Sequence, residues 1–240
     1  RDIEPLGLRL GLSVLRALPG IKARAGRLRA LSETIRLPRR TDIAARLAAL
    51  YREQERLLES LRGTSLNFKA FLPLFLKHRL DPRYPAAGAY RYLQARAIGD
   101  TSLADMDAFT RKAADKYLGS IRAMEALARL REDRATLEKH EALNRAAGEP
   151  TAAAEIMGLR IGPAAVITAP AELLVEIGLR LKKASPHKPT LVAALTNGYL
   201  HYGAPAAAYD RGGYEVTECL LAPEWQRIYE AKAIELIRAL

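Results

Sequence analysis

The sequence has little of what identifies several large classes of protein. Its single cysteine, Cys219, excludes an internal disulfide framework and a cysteine-rich zinc site. No apolar run reaches the roughly 18–20 residues that span a bilayer, so we expect no transmembrane segment, and no secretory signal peptide is visible. A nucleophile elbow, a phosphate-binding glycine loop, a dinucleotide fingerprint and a His-Glu-x-x-His motif are also absent. The sequence therefore lacks the short motifs that would identify one of these reactions directly.

Positive charge is abundant and unevenly distributed. The formal net charge is +11, and residues 1–40 hold ten Lys and Arg against three Asp and Glu, a net charge of +7. Such a stretch can meet nucleic acid, anionic lipid or an acidic protein surface, or it can be a solvated helical face packed against something outside this chain. Aromatic residues are not interleaved with the basic ones. Base stacking is therefore unsupported, and we do not expect a nucleic-acid partner.

The first 150 residues have the pattern of a basic, mainly helical part. Apolar residues recur at three- and four-residue steps, which predicts helices over 42–62, 67–78, 86–97 and 105–131. Residues 132–147 either continue the last helix or form a second arm. We expect 42–62 and 105–131 to pack as an antiparallel hairpin of long helices. The apolar stretch at 6–15 has an ambiguous period and ends at Pro19-Gly20.

The pattern changes after the break at Gly148-Glu149-Pro150. Period-two alternation and buried runs predict strands at 157–161, 164–168 and 190–196, and we expect a helix at 171–183 between the last two. A loop over 197–215 and a closing helix over 224–240 complete the chain. The sequence thus predicts an α+β fold, with a mainly helical part at 1–150 and an α/β layer at 151–240 that carries the candidate site. We expect the two parts to form one compact unit.

Polar residues follow two of the predicted strands. Glu172 is expected in the first turn of its helix, where it can be a site residue or can simply complement the helix dipole. The next strand leads into a polar cluster, which is either a binding site or a set of satisfied loop hydrogen bonds with Tyr rings packed on the core: Asn197, Tyr199, His201 and Tyr202. Of these, the imidazole of His201 is the more usual metal ligand.

The remaining tyrosines and histidines of interest lie further along this loop or are scattered through the chain. Tyr209 and Tyr214 lie further along the same loop, where Gly212-Gly213 lets the backbone bend tightly. His78, His140 and His187 are scattered through basic surroundings without ligand spacing, and we expect them on the surface.

The chain from Leu159 onward resembles the neutral, non-lysosomal ceramidase family, in pieces that occur in the family's order. The segment "LRIGPAAVITAPAE" is similar to the strand pair that leads into Val-Pro-Gly-Glu, with Ala171 in place of the glycine. The segment "LVAALTNGYLHY" resembles the strand before Asn-x-Tyr-x-x-Tyr, and "AAYDRGGYE" resembles the loop that ends in Arg-Tyr-Glu. The segment "LSETIRLPRR" is similar to the family's middle region.

The resemblance implies a zinc-dependent amidohydrolase that cleaves N-acylsphingosines. The family holds its zinc with two His, one Glu and one Tyr, and the Glu and the Tyr fall on Glu172 and Tyr202. The Tyr of Arg-Tyr-Glu, which lies near the scissile group, falls on Tyr214. The implied reaction is attack of zinc-activated water on an amide carbonyl, with Tyr214 helping to hold the developing oxyanion. The family's location implies a secreted, periplasmic or membrane-surface protein.

In the family, the two His ligands lie upstream of the segments that this chain resembles. The chain begins with Arg1 rather than Met, which indicates a processed product, an expression product or a fragment. We therefore expect an N-terminal segment or a second chain to supply the two His, and a lipid-like N-acyl compound as substrate. Two alternatives remain open: a non-catalytic relative that binds a lipid or a partner protein, and a basic helical nucleic-acid-binding protein.

Overall fold

A computed structural model describes residues 3–22, 26–61, 63, 66–80 and 89–240. The fold is α+β, as the sequence predicts. The helices described are α1 Ile3–Ala17, α2 Ile43–Ser60, α3 Phe68–Leu80, α4 Tyr90–Ala97, α5 Ser102–Ala147, α6 Val175–Ala184, α7 Tyr214–Thr217 and α8 Trp225–Ala239. The strands are β1 Leu28–Pro38, β2 Thr151–Ile161, β3 Ala164–Thr168, β4 Glu172–Leu173, β5 Thr190–Ala193 and β6 Tyr202–Gly203.

Two compact units make up the chain. The sheet unit is Arg1–Arg40 with Glu149–Leu240, and the helical unit is Thr41–Gly148. The break at Gly148 coincides with one junction, because Gly148 ends α5 in the left-handed conformation at φ 62°. The first forty residues group with the C-terminal part, however, whereas the sequence boundary near 150 placed them with the helices.

A mixed four-stranded sheet in the order β1-β2-β3-β5 forms the frame of the sheet unit. Strands β1 and β2 pair antiparallel over eleven residues, from Leu28 opposite Ile161 to Pro38 opposite Thr151. A turn at Gly162-Pro163 joins β2 to antiparallel β3, and α6 carries the chain from β3 to parallel β5. A separate pair, β4 and β6, is parallel and two residues long.

Strand β1 lies in a region that we did not predict as a strand. Leu31, Ile35 and Leu37 pack on the core at alternating positions, but Glu33 occupies the remaining position of that face and bonds to Lys232 at 2.9 Å. A charged residue on the buried face hides the period of two. The strand is therefore recognisable only together with its partner.

The core of the sheet unit lies between the sheet and the helices α6 and α8. Ile156, Ile167 and Ile237 are fully buried, and the Trp225 and Tyr229 rings are 1% exposed. The Trp225 indole donates to the Ala204 carbonyl at 3.1 Å, and the Tyr229 hydroxyl donates to the Thr168 carbonyl at 3.0 Å. The polar ends of both large rings are thereby satisfied inside the core.

Three expected elements differ in detail. β2 begins at Thr151 and buries the even-numbered face with Ala152, Ala154 and Ile156, whereas we expected a strand at 157–161 with the odd-numbered residues as its apolar set. Helix α6 begins at Val175 rather than near 171. β5 stops at Ala193 and is an edge strand of the described sheet, with Leu191 exposed, so the expectation of cover on both faces is wrong.

Helices α2 and α5 form the antiparallel pair expected in the helical unit. Near the start of α2, Ile43 and Leu47 pack with Leu137, and near its end Leu57 packs with Ala123 and Leu130. Residues 132–147 continue α5, which makes it one helix of 46 residues. Helix α4 confirms the expected helix at 86–97 from Tyr90 onward, and residues 86–88 lie outside the described ranges. No helix among the described residues is both long and apolar enough to cross a membrane.

Candidate functional site

The short β4–β6 pair places Glu172 beside Tyr202. The two residues are partners in the parallel register, followed by Leu173 opposite Gly203. The Glu172 amide donates to the His201 carbonyl at 2.9 Å, and the Leu174 amide donates to the Gly203 carbonyl at 3.1 Å. Partners on neighbouring strands carry their side chains on the same face of the sheet. The carboxylate and the phenol are therefore adjacent because of backbone register.

Glu172 lies in a strand and not, as expected, in the first turn of a helix. The backbone before it is occupied by the loop that follows β5: the Leu195 amide donates to the Ala171 carbonyl at 3.2 Å, and the Leu200 amide donates to the Pro170 carbonyl at 2.6 Å. These bonds hold the segment away from helical geometry, and α6 starts at Val175. The Ala171 side chain is buried at 3% exposure, so the core accommodates its methyl group.

The electrostatics of Tyr202 show its contact with Glu172. The pKa of the Tyr202 phenol is raised to about 12, most by desolvation and then by its hydrogen bond to the Glu172 carboxylate and the negative charge of that carboxylate. The Tyr214 ring meets the Tyr202 ring edge-on, with centroids 5.6 Å apart and planes at 76°, and its hydroxyl is a second bonding partner of the Tyr202 phenol. The structure thus brings Glu172, Tyr202 and Tyr214 together, and their roles remain predictions.

The loop between β5 and β6 carries unusual backbone angles. Leu195, Asn197 and His201 have φ values of 54°, 64° and 59°, in the left-handed region that residues with side chains seldom adopt. Each such residue costs of order 1–3 kcal/mol, and such strain clusters at functional sites. The bonds from this loop to the segment before Glu172 maintain the conformation, so the same contacts that hold the strain also position the carboxylate.

A tight bend and a buried arginine position Tyr214. Gly212 and Gly213 have φ values of 69° and 109°, which residues with a side chain adopt only with strain. Helix α7 begins directly after them. The Arg40 guanidinium, in a residue only 4% exposed, donates to the Val216 carbonyl at 2.7 Å. Its contact with this carbonyl in α7 fixes the short helix that begins at Tyr214. No motif or periodicity in the sequence points to this role of Arg40.

The other polar residues of this loop make different contacts. His201 Nδ1 is 3.8 Å from a Glu218 carboxylate oxygen, and its ring lies 5.0 Å from that of Tyr199, which is 60% exposed. Tyr209 is a core residue at 5% exposure, and its hydroxyl donates to the Leu221 carbonyl at 2.8 Å. Sequence reasoning missed Glu218, because no motif marks it.

All three scattered histidines, His78, His140 and His187, were expected on the surface and are at least partly covered. His187 is half-buried, and its Nε2 lies 3.0 Å from the Ile237 carbonyl oxygen. His140 is buried.

Comparison with solved structures finds partial similarity to ceramidases. A structure described as a ceramidase complexed with C2 is 26% identical over 35% of this chain and 14% of its own, with a TM-score of 0.33. A neutral ceramidase from Pseudomonas aeruginosa is 25% identical over 36% of this chain and 15% of its own, with a TM-score of 0.32. The match thus spans about one seventh of those chains. No protein-family model matches this sequence, and no curated protein matches it significantly.

Proposed function

We propose that this chain is the C-terminal portion of a zinc-dependent amidohydrolase that resembles neutral ceramidase and cleaves the amide bond of an N-acyl, ceramide-like substrate. The proposal is supported by the ordered set of segments between Leu159 and Glu215. The observation that carries it is the register of β4 with β6, which joins two of those segments at the pair Glu172 and Tyr202. Residues thirty positions apart in sequence are in contact where the resemblance requires two ligands of one metal ion.

The donor set at this pair fits half of a zinc site. The Tyr202 phenol donates a hydrogen bond to the Glu172 carboxylate, and an adjacent cation would favour the phenolate form of Tyr202 as a ligand. Structural and catalytic zinc sites use three or four protein ligands, commonly with His among them. We propose that an upstream segment or a second chain provides two His ligands. When bound, zinc activates a water molecule and polarises the amide carbonyl.

Within this chain, Tyr214 is the proposed oxyanion donor. Its residue is 61% exposed, so a substrate can approach the phenol from solvent, and its edge contact with Tyr202 keeps it beside the proposed ligands. A phenol O–H that points at the developing negative oxygen would stabilise the transition state more than the ground state. Glu172 and Tyr202 would hold the cation, while Tyr214 would contact the reacting group.

The test uses the complete assembly, with the His-bearing segment or chain present. We expect Glu172→Gln and Tyr202→Phe each to abolish hydrolysis of an N-acylsphingosine, because each change removes one proposed ligand. Tyr199→Phe is the matched control, since Tyr199 lies in the same loop and is 60% exposed beside His201. Wild-type turnover in either ligand variant would remove that residue from the site.

Zinc affinity gives an independent test on this chain alone. Two ligands cannot complete a four-coordinate shell, so we expect the 240-residue chain to bind zinc weakly in isothermal titration calorimetry. Tight binding at one zinc per chain would contradict the proposal that two His come from outside.

A further inference from the structure

Helix α1 exposes a long series of apolar side chains. None of its residues is buried, and between 49% and 84% of the surface is exposed in each of Ile3, Leu6, Leu8, Leu10, Leu12, Val14 and Leu15. Leu18 and Ile21 continue the series at 51% and 69%. Soluble monomers seldom leave so many large apolar residues contiguous and uncovered, and such surfaces mark interaction sites.

The two basic residues of α1 lie on one narrow face. Leu6, Leu10 and Val14 follow one another at four-residue steps and form one apolar row, and Leu8, Leu12 and Leu15 form another. Arg9 and Arg16, seven residues apart, share the remaining face. Glu4, the one acidic residue in the helix, lies in its first turn and away from the face of the two arginines.

We propose that α1 binds the surface of an anionic membrane. A helix of this length measures about 22 Å, which is shorter than the bilayer core of about 30 Å, so it would lie in the plane of the interface rather than cross it. Its apolar rows enter the boundary between headgroups and acyl chains, and the stems of Arg9 and Arg16 reach outward so that their guanidinium groups meet lipid phosphates. The binding requires neither zinc nor hydrolysis, so it can be tested apart from the proposed function.

The charge distribution favours lipid over another protein helix as the occupant. A purely apolar protein surface would leave two guanidinium groups at its margin without anionic partners, whereas a membrane of anionic lipid provides phosphates along the whole helix. The competing occupant is a helix, from a second copy or from an upstream segment, packed closely over Gly7 and Gly11. A Cβ added at either glycine meets no atom within 4 Å in this chain, so alanine can be placed there to distinguish the two occupants.

The experiment is flotation of the 240-residue chain with phosphatidylcholine vesicles that contain or lack phosphatidylserine. We expect binding to the vesicles with phosphatidylserine and much weaker binding to those without it. Leu10→Glu should weaken partitioning into the vesicles by about tenfold or more, because it removes a central apolar contact and adds a negative charge that the anionic lipids repel. The double change Arg9→Gln with Arg16→Gln should remove the preference for phosphatidylserine. Gly7→Ala with Gly11→Ala should bind as tightly as the wild type.

Controls separate this surface from general stickiness and from unfolding. Met124→Glu changes an apolar residue of similar exposure, 53%, on α5 and should leave vesicle binding unchanged. Circular dichroism should show wild-type thermal unfolding for Leu10→Glu, because α1 buries nothing; the arginine pair serves as the test if it does not. Absence of binding to phosphatidylserine vesicles would overturn the proposal. So would equal loss in Met124→Glu, or a self-association in analytical ultracentrifugation that the glycine-to-alanine changes abolish.

Discussion

Gly203→Ala tests how the core holds the candidate site. Gly203 follows Tyr202 in β6, and a Cβ at this position would lie 2.8 Å from Leu173 Cδ2 and 2.8 Å from Trp225 Cη2. Contacts below 3.0 Å require one partner to move. The Leu173 methyl group can rotate away at little cost. The Trp225 ring cannot, because it is 1% exposed and its indole is bonded to the Ala204 carbonyl.

The expected cost follows from these two constraints. Overpacking a well-packed core costs about 1–3 kcal/mol. A shift of the indole that weakens its hydrogen bond adds about 1 kcal/mol. We therefore expect the free energy of unfolding of the sheet unit to fall by about 2–4 kcal/mol. With an m-value of about 2 kcal/mol/M, the urea midpoint moves down by about 1–2 M.

The assay is urea unfolding followed by tryptophan emission. Trp225 is the only tryptophan in the chain, so its fluorescence reports on the sheet unit. The matched control is Gly178→Ala in α6, where a Cβ would meet only Val192 Cγ2, at 4.0 Å. This change should stabilise the unit by about 0.5–1 kcal/mol, because alanine favours the helix. A wild-type midpoint for Gly203→Ala would refute the packing argument.

Two further predictions concern buried polar groups. Desolvation raises the pKa of Tyr209 and of Tyr229, so both stay protonated in the folded state while the unfolded chain ionises above about pH 10. Each of these two groups lowers the free energy of unfolding by about 1.4 kcal/mol per pH unit in that range, and the raised pKa of Tyr202 adds to the fall. Tyr229→Phe should therefore reduce the slope by about 1.4 kcal/mol per pH unit in alkaline urea titrations. Arg40→Met should destabilise the sheet unit by about 1.5–3 kcal/mol in urea unfolding, because it leaves the Val216 carbonyl without its charged donor. The control Arg36→Met, at an exposed arginine, should cost less than about 1 kcal/mol. Equal effects of the two changes would contradict the role assigned to Arg40.

Local patterns were sufficient for the two long helices of the helical unit. The helices α2 and α5 show steady three- and four-residue steps, and their antiparallel pairing follows from the contacts of Leu57 with Leu130 and of Leu47 with Leu137. Strand β1 could not be found this way, because its partner β2 is more than a hundred residues away and Glu33 interrupts its apolar face. Pairing over such a separation leaves no local trace in the sequence.

The candidate site was less accessible to periodicity. A pair of strands two residues long has no period, so residue patterns alone placed Glu172 in a helix and favoured His201 over Tyr202 as a ligand. Only the resemblance selected Tyr202, and the register of β4 with β6 now places it beside Glu172. Tyr209 could not be separated from Tyr214 by type or spacing, because burial of one and exposure of the other depend on the tertiary fold.

The pairing of β1 with β2 has a consequence for the modularity of the chain. The Arg39 amide donates to the Pro150 carbonyl at 2.9 Å, so the polypeptide leaves the sheet and returns to it at neighbouring points. The 108 residues from Thr41 to Gly148 therefore occupy the position of a hairpin turn. Insertions at such points are well tolerated, since they interrupt no buried backbone. A tight turn spliced in their place would leave β1 and β2 as an ordinary hairpin, with every residue of the candidate site retained.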